Sequence, residues 1–468
     1  MNGLKLHQAE RWHLALGHIL FLALFTLAYI HAVPRVVHVD SAFQVFKWIH
    51  GEGIGVEAHR FSAIFPQLLV KLATQFGIRL QGLVVIASVA HVLVPYVIFV
   101  VIAHVLRLPW HALAVALAQV LCTRLTFYGI VLEVNYLLCY PILFAAMLDG
   151  PLSRSRTPLV LLMVLISLLL VLFAHPVGCI MALFVLLLHW ARSTASRSLI
   201  YGLALLCVLW PLISRAVFPP TGYEAGLYTA TSEGLHAAPR IAELPAWRFL
   251  MQHTWQATTH YLILWSGLLA LLIILVRRRS WKQLVVCLCA LVGYVSLNVF
   301  TYHQGETAMM MEKNFLPLAV LVGLPLMLEM GRMTAPGQWG VFAAFVVVFF
   351  IQFRGISFAA RPARERLARI EQLVLSCQRS GIKKACTSPE MLDREGLNIH
   401  WALPFETLLL SSLRGPENGV TVVSHDACPP STDGADFSGL IEAGDVCGNG
   451  TSYFRLPKGP YGVLSTQE

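Results

Sequence analysis

The chain has 468 residues, 57% of them hydrophobic and only 13% charged, with a mean hydropathy of +0.68. A soluble domain carries about a quarter charged residues, so this composition excludes a single water-soluble core. The formal charge of +9 sits largely in short breaks between apolar runs, which makes it a matter of membrane topology and points away from nucleic acid.

Each apolar run supplies about 20 residues of helix whose backbone polar groups are satisfied internally, as a bilayer requires. The pattern predicts a polytopic α-helical membrane protein with about eleven transmembrane helices. They fall near 14–33, 83–106, 109–123, 131–148, 158–174, 177–190, 200–216, 260–276, 283–301, 315–329 and 338–353. Lys5 and Arg11 precede the first run, and 31–37 lacks a small-x-small cleavage pattern. That run therefore reads as a retained helix rather than a signal peptide.

The breaks holding Arg107, Arg154 with Arg156, Arg192 with Arg197, the Arg277 cluster and Arg332 alternate with the less basic breaks along the chain, so they share one side of the membrane. Placing them all in the cytoplasm leaves the N-terminus inside and the C-terminus outside. The transmembrane part is then 1–353, with outer loops at 34–82 and 217–259. Segment 61–76 is apolar enough for a short span, but Pro66, Gln67 and Lys71 suit an interfacial or re-entrant helix better. The second loop, with Pro219, Pro220, Gly222, Pro239 and Pro245, reads as ordered with short helices. No internal repeat stands out, so a transporter built from inverted repeats gains no support.

Residues 354–468 change character and read as a small extracytoplasmic α/β domain, with an amphipathic helix at 361–376 and a strand at 420–423. Cys377, Cys386, Cys428 and Cys447 in an outward-facing domain could form two disulfides, with three pairings open. The shorter loops favour Cys377 with Cys386 and Cys428 with Cys447; buried free thiols are the alternative. Trp401, Phe405, Glu406, His425 and Asp426 could recognise a glycan, but packing is their plainer role.

With this topology the unusual polar residues collect on the outer face. Asp40 follows the first helix, and Glu57, His59 and Arg60 share its loop. Arg124 and Glu133 fall at the turn between the third and fourth helices, and His175 at the next outer turn. His303, Glu306, Glu312 and Lys313 precede the tenth helix. Ionisable groups near a membrane are costly unless paired or hydrated, which marks them for function. A carboxylate here can take a hydroxyl proton, while Arg or Lys neutralises a departing lipid phosphate. Structural roles compete: Asp40 as a helix cap, Glu133 as a partner of Arg124, His175 as a helix-end group, Glu312 and Lys313 as boundary markers. His59 and His303 could serve a divalent metal, but no ligand spacing assigns one, and no cofactor is certain.

Val39-Asp40-Ser41 shortly after the first helix, the outer segments through Gln81, and the 303–317 loop together resemble the GT-C superfamily of membrane glycosyltransferases. Those enzymes use polyprenyl-phosphate sugars, and the likeness covers about residues 10–353. It implies an inverting transferase in which Asp40 is the catalytic base and Lys313, with His303 nearby, meets the donor phosphate. Glu57 or Glu133 would then orient the acceptor, and Arg124 would join Lys313. The family's usual adjacent acidic pair is absent, since Val39 and Ser41 flank Asp40. Expected partners are a polyprenyl-phosphate-linked sugar, membrane lipid, and an extracytoplasmic glycan or lipid acceptor. The expected location is a bacterial inner membrane, with the C-terminal domain in the periplasm. Two other classes stay open: a lipid-linked saccharide transporter or flippase, and a non-enzymatic assembly factor docking a polysaccharide or secretion system through its tail.

Overall fold

The computed structural model describes residues 2–464 apart from 52, 57–58, 156, 193–196, 219–221, 257–259 and 426–451. Among the described residues seven helices are long and apolar enough to cross a membrane: Glu10–Ile30, Leu80–Val105, Glu133–Ser153, Ser198–Val217, Trp281–Thr301, Ala308–Met330 and Pro336–Arg379. Four shorter apolar helices, Pro109–Leu121, Pro158–Leu172, Gly178–Arg192 and Leu262–Arg277, fill the remaining places expected from the sequence. At 1.5 Å per residue the shorter ones reach only about 20–24 Å, against roughly 30 Å of hydrocarbon. Local chemistry sets their ends. Pro109 and Pro158 occupy first-turn positions, where a missing N–H costs nothing, and the Thr157 hydroxyl accepts from Val160 N. Gly178 lets two of them turn tightly, since a Cβ there would lie 2.1 Å from the Val171 carbonyl oxygen.

Burial orders the bundle. The Ala308–Met330 segment is 94% buried and forms its axis, whereas Ser198–Val217 is only 11% buried and faces outward. A helix apolar all round belongs at the centre or against lipid, and these two show both cases. The basic breaks meet at one end: Asp149 joins His111, His189 and Arg192, and Glu329 joins Arg278 and Arg332.

The opposite end carries the short Val39–His50 and Ile64–Gln75 helices. The latter has 12 residues, about 18 Å, too short to cross. Phe65, Leu68, Leu72 and Phe76 recur at helical spacing and are exposed, which gives the segment the apolar face of an interfacial helix. The 217–259 region holds the Gly222–His236 and Pro245–Trp255 helices, as its punctuation by proline led one to expect.

The last long helix runs Ala335–Phe358 and resumes after Ala359 as Ala360–Arg379, which leads into the tail. The tail adds three parallel strands: β1 (Lys384–Thr387), β2 (Thr421–Ser424) and β3 (Gly462–Val463), in the order β2-β1-β3. The Leu403–Ser412 helix connects the first two.

The expected Cys377–Cys386 disulfide is not formed. Cys377 is a buried free thiol packed with Ile370, Leu373, Val374 and Ala385. Side chains alternate along a strand, so with Ala385 turned to that cluster, Cys386 on β1 faces the other side of the sheet. Cys428 and Cys447 lie outside the described residues. The tail is fastened to the bundle by an apolar cluster instead, in which Phe43 and Phe46 pack on Phe405, and Phe46 on Phe454.

Candidate functional site

The Val39–His50 helix starts without a cap of its own. Its N-cap is His38, whose side chain makes no capping bond, and Val39 has a positive φ of 37°. The first N–H groups of a helix need an outside acceptor. Val39 N finds one in Glu406 Oε1, at 2.8 Å. Asp40 sits in the first turn rather than at the cap, so the capping role weighed from sequence belongs to Glu406. Ser41 Oγ then accepts from Ile130 N at 3.2 Å, which ties the helix to the segment leading into Glu133.

Glu133 opens the 3-10 turn Glu133–Leu138 and accepts from Arg60 Nη1 at 2.7 Å. Its partner is therefore Arg60 and not Arg124. Lys313, on the Ala308–Phe315 helix, is 8% exposed. Among the described residues no carboxylate lies within 4.0 Å of its ammonium, and its hydrogen-bond contact is Met310 Sδ at 3.8 Å. Asp40 likewise has no hydrogen bond or ion pair among the described residues, although it lies in the electrostatic field of Lys313, Glu133, Arg60 and Glu406. Burial holds the Asp40 carboxyl above the usual carboxylate range. Lys313 and Arg60 pull it back, while Glu133 and Glu406 push it further up. His175 is pushed well below the ordinary imidazole range by burial, then by the Arg60 and Lys313 cations, and stays neutral. Its Nδ1 accepts from Val177 N at 3.4 Å.

Glu312 points elsewhere. Consecutive helical residues stand about 100° apart, so with Lys313 toward Asp40, Glu312 turns to the Arg124–Thr126 turn. There it accepts from the backbone N–H groups of Arg124, Leu125 and Thr126 and from the Thr126 hydroxyl. Four donors on one carboxylate make a structural lock. Arg124 is part of that unit: its guanidinium lies against Gly355, where a Cβ would come within 2.7 Å of its Nε.

The packing thus gathers Asp40, Arg60, Glu133, His175 and Lys313 into one group and leaves other candidates outside it. His303 donates from Nδ1 to Phe300 O at 3.1 Å and faces Glu233 at 4.0 Å. Glu306 is exposed. His59, at a φ of +58°, stacks on Phe218 with ring centroids 4.5 Å apart. Glu57 lies outside the described residues. No three His, Cys, Asp or Glu side chains among the described residues come together in a way that could hold a metal ion.

A cavity of about 330 Å³ opens between the bundle and the tail, lined by His38, Tyr128, Thr307, Arg366, Arg369 and Asn398 among others. Sequence reading missed Arg366 and understated Glu406. Arg366 grips Glu406 through Nε at 2.8 Å and Nη2 at 2.6 Å. The only signal in the chain is a carboxylate in the first turn of the Leu403–Ser412 helix, and that does not name its partners. Comparison with protein-family models, with curated proteins and with solved structures finds no match for this chain.

Proposed function

We propose that the chain is an inverting membrane glycosyltransferase that moves a sugar from a polyprenyl-phosphate donor to a hydroxyl of an extracytoplasmic glycan or lipid acceptor. The observation that carries this reading is the pair Asp40 and Lys313. Two opposite charges, drawn out of water at one end of the bundle, lie in each other's electrostatic field without touching each other or another charged partner among the described residues. Withdrawing charge from water is costly unless something satisfies it. A hydroxyl at Asp40 and a phosphate at Lys313 would satisfy both at once.

In that reaction the acceptor oxygen attacks the anomeric carbon while its proton passes to an Asp40 carboxylate oxygen. The bond from the anomeric carbon to the phosphate oxygen breaks, and its electron pair stays on the lipid phosphate. The Lys313 ammonium stabilises that growing charge. A carboxyl held above its usual range is a better proton acceptor near neutral pH than a solvated aspartate. Arg60 and Glu133 satisfy each other, so they shape the space and its field rather than compete for the proton. The cavity beginning at His38, two residues from Asp40, supports an acceptor entering between bundle and tail.

The test is a transfer assay with a panel of polyprenyl-phosphate sugars in reconstituted membranes. Asp40→Asn should fold and bind donor yet lose transfer. Wild-type turnover by that variant would end the assignment.

A further inference from the structure

The residue that completes the Asp40 helix belongs to the far end of the chain. Glu406 is fully buried, and its partner Arg366 is nearly so. Glu406 Oε1 accepts from both Val39 N and Arg366 Nε, at 2.8 Å each, while Oε2 accepts from Arg366 Nη2 at 2.6 Å. Arg366 Nη2 also donates to Ile399 O at 3.1 Å. One carboxylate is thereby fixed from the tail side by a two-pronged guanidinium and aims its remaining capacity at the first N–H of the helix bearing Asp40. The geometry at Val39 shows what it holds in place. A positive φ on a β-branched residue is strained and persists only where surrounding contacts impose it. Here those contacts are the Glu406 carboxylate at the backbone and Phe405 against Phe43 and Phe46, one and two turns onward.

We infer that Glu406 is a positioning residue for Asp40, and that the C-terminal domain is a working part of the outer-face centre rather than an appended module. Its catalytic half rests on the reading of Asp40 as the base. Its structural half does not. Glu406 touches no reacting atom; it sets where the first turn of the Val39–His50 helix stands, and with it the Asp40 carboxylate. Small displacements of a reacting group are enough to slow a step on the order of 10²-fold.

Two double variants of the full-length protein in membranes separate positioning from plain stability. Glu406→Leu with Arg366→Leu removes the acceptor for Val39 N together with the ion pair; replacing a buried pair by apolar groups is often close to neutral for folding. Glu406→Gln with Arg366→Leu also removes the ion pair but keeps a carbonyl oxygen for Val39 N. The first should lower kcat on the order of 10²-fold with the donor KM changed by less than about threefold, and the second should recover most of that loss. Amide hydrogen exchange across 39–42 should quicken about tenfold or more in the first and stay near wild type in the second, with 318–330 unchanged in both. Equal behaviour of the two variants in rate and exchange would overturn the proposal, as would exchange rising throughout the bundle. If Asp40→Asn proves active, the base assignment fails by itself, and the exchange contrast at Val39 still decides whether Glu406 holds the helix.

Discussion

At one end of the bundle Asp149 accepts from His111 Nε2 at 3.1 Å, His189 Nδ1 at 2.6 Å and Arg192 Nη1 at 2.7 Å, while Glu329 takes Arg278 at 2.5 Å and Arg332 at 2.8 Å. At the other end Asp40 and Lys313 share a field but no contact. Both ends bury charge and both hold satisfied carboxylates, but the second leaves Asp40 and Lys313 short of partners. The saturated carboxylates bind helices to one another, because each oxygen of Asp149 and Glu329 already has a partner. A charge left short of partners beside an opposite charge keeps capacity for something that arrives later. The contrast separates fastening from chemistry better than any count of polar residues.

Substitutions at the two ends should therefore fail in different currencies of measurement. Asp40→Asn should reduce transfer about 10²- to 10⁴-fold, the range expected for losing a general base. Its folding should not suffer. A carboxyl whose folded pKa lies above the unfolded value near 3.9 is destabilising wherever it is ionised, that is, as pH rises through and beyond that interval. Thermal melts at pH 7 should thus show Asp40→Asn at or above wild type; a clear drop would move Asp40 into the fastening class. Lys313→Met should cost about 10²- to 10³-fold in kcat through the lost stabilisation of the leaving phosphate, with Lys313→Arg partly active. An Arg variant no better than Met would argue against a purely electrostatic role.

Asp149→Ala should do the reverse. Stripping the carboxylate from His111, His189 and Arg192 should lower stability by roughly 2–4 kcal/mol, while turnover per folded molecule stays close to wild type. Catalytic loss without a stability loss there would erase the contrast between the ends.

Smaller effects sharpen it. The acid limb of the rate profile should stand above the ordinary carboxylate range of about 4, because Asp40 must be ionised to accept a proton and burial raises its pKa. Glu133→Gln removes a charge that pushes Asp40 up and leaves Arg60 pulling it down, so the limb should move to lower pH. Lys313→Met should move the residual activity's limb to higher pH. Movement of both limbs in the same direction would show that another group titrates. At the bottom of the scale, Cys377→Ala should cost only about 1 kcal/mol, a packing loss and not the loss of a cross-link. Thiol labelling of the unfolded, unreduced protein should find Cys377 reactive.

The helical frame was legible because a bilayer-spanning segment writes itself as a long local run, and each expected run is matched by a long or a shorter apolar helix. The convergence of Asp40 with Lys313 was legible only as a shared face, since nothing local fixes distance across 273 positions (40 to 313). Pairing was harder still. Proximity along the chain offered Glu133 only Arg124, and packing chose the distant Arg60. Glu312 and Lys313 are neighbours in sequence and face different surroundings. The disulfide expectation failed on a matter of facing: loop length brings Cys377 and Cys386 near, but strand alternation turns them apart. Glu406 was read as tail packing, because a hydrogen bond to a backbone N–H leaves no mark on composition or period.

That last bond also sets an order of events during synthesis. Val39 and Glu406 are 367 residues apart, and chains elongate at about 5–20 residues per second. For roughly 20–70 s after Val39 has been made, its N–H has no Glu406 to meet. The Val39–His50 helix waits on the tail, so a growing chain reaches the membrane before the group that caps this helix exists. A truncated chain ending before Glu406 keeps Asp40 in its sequence and lacks the group that seats it.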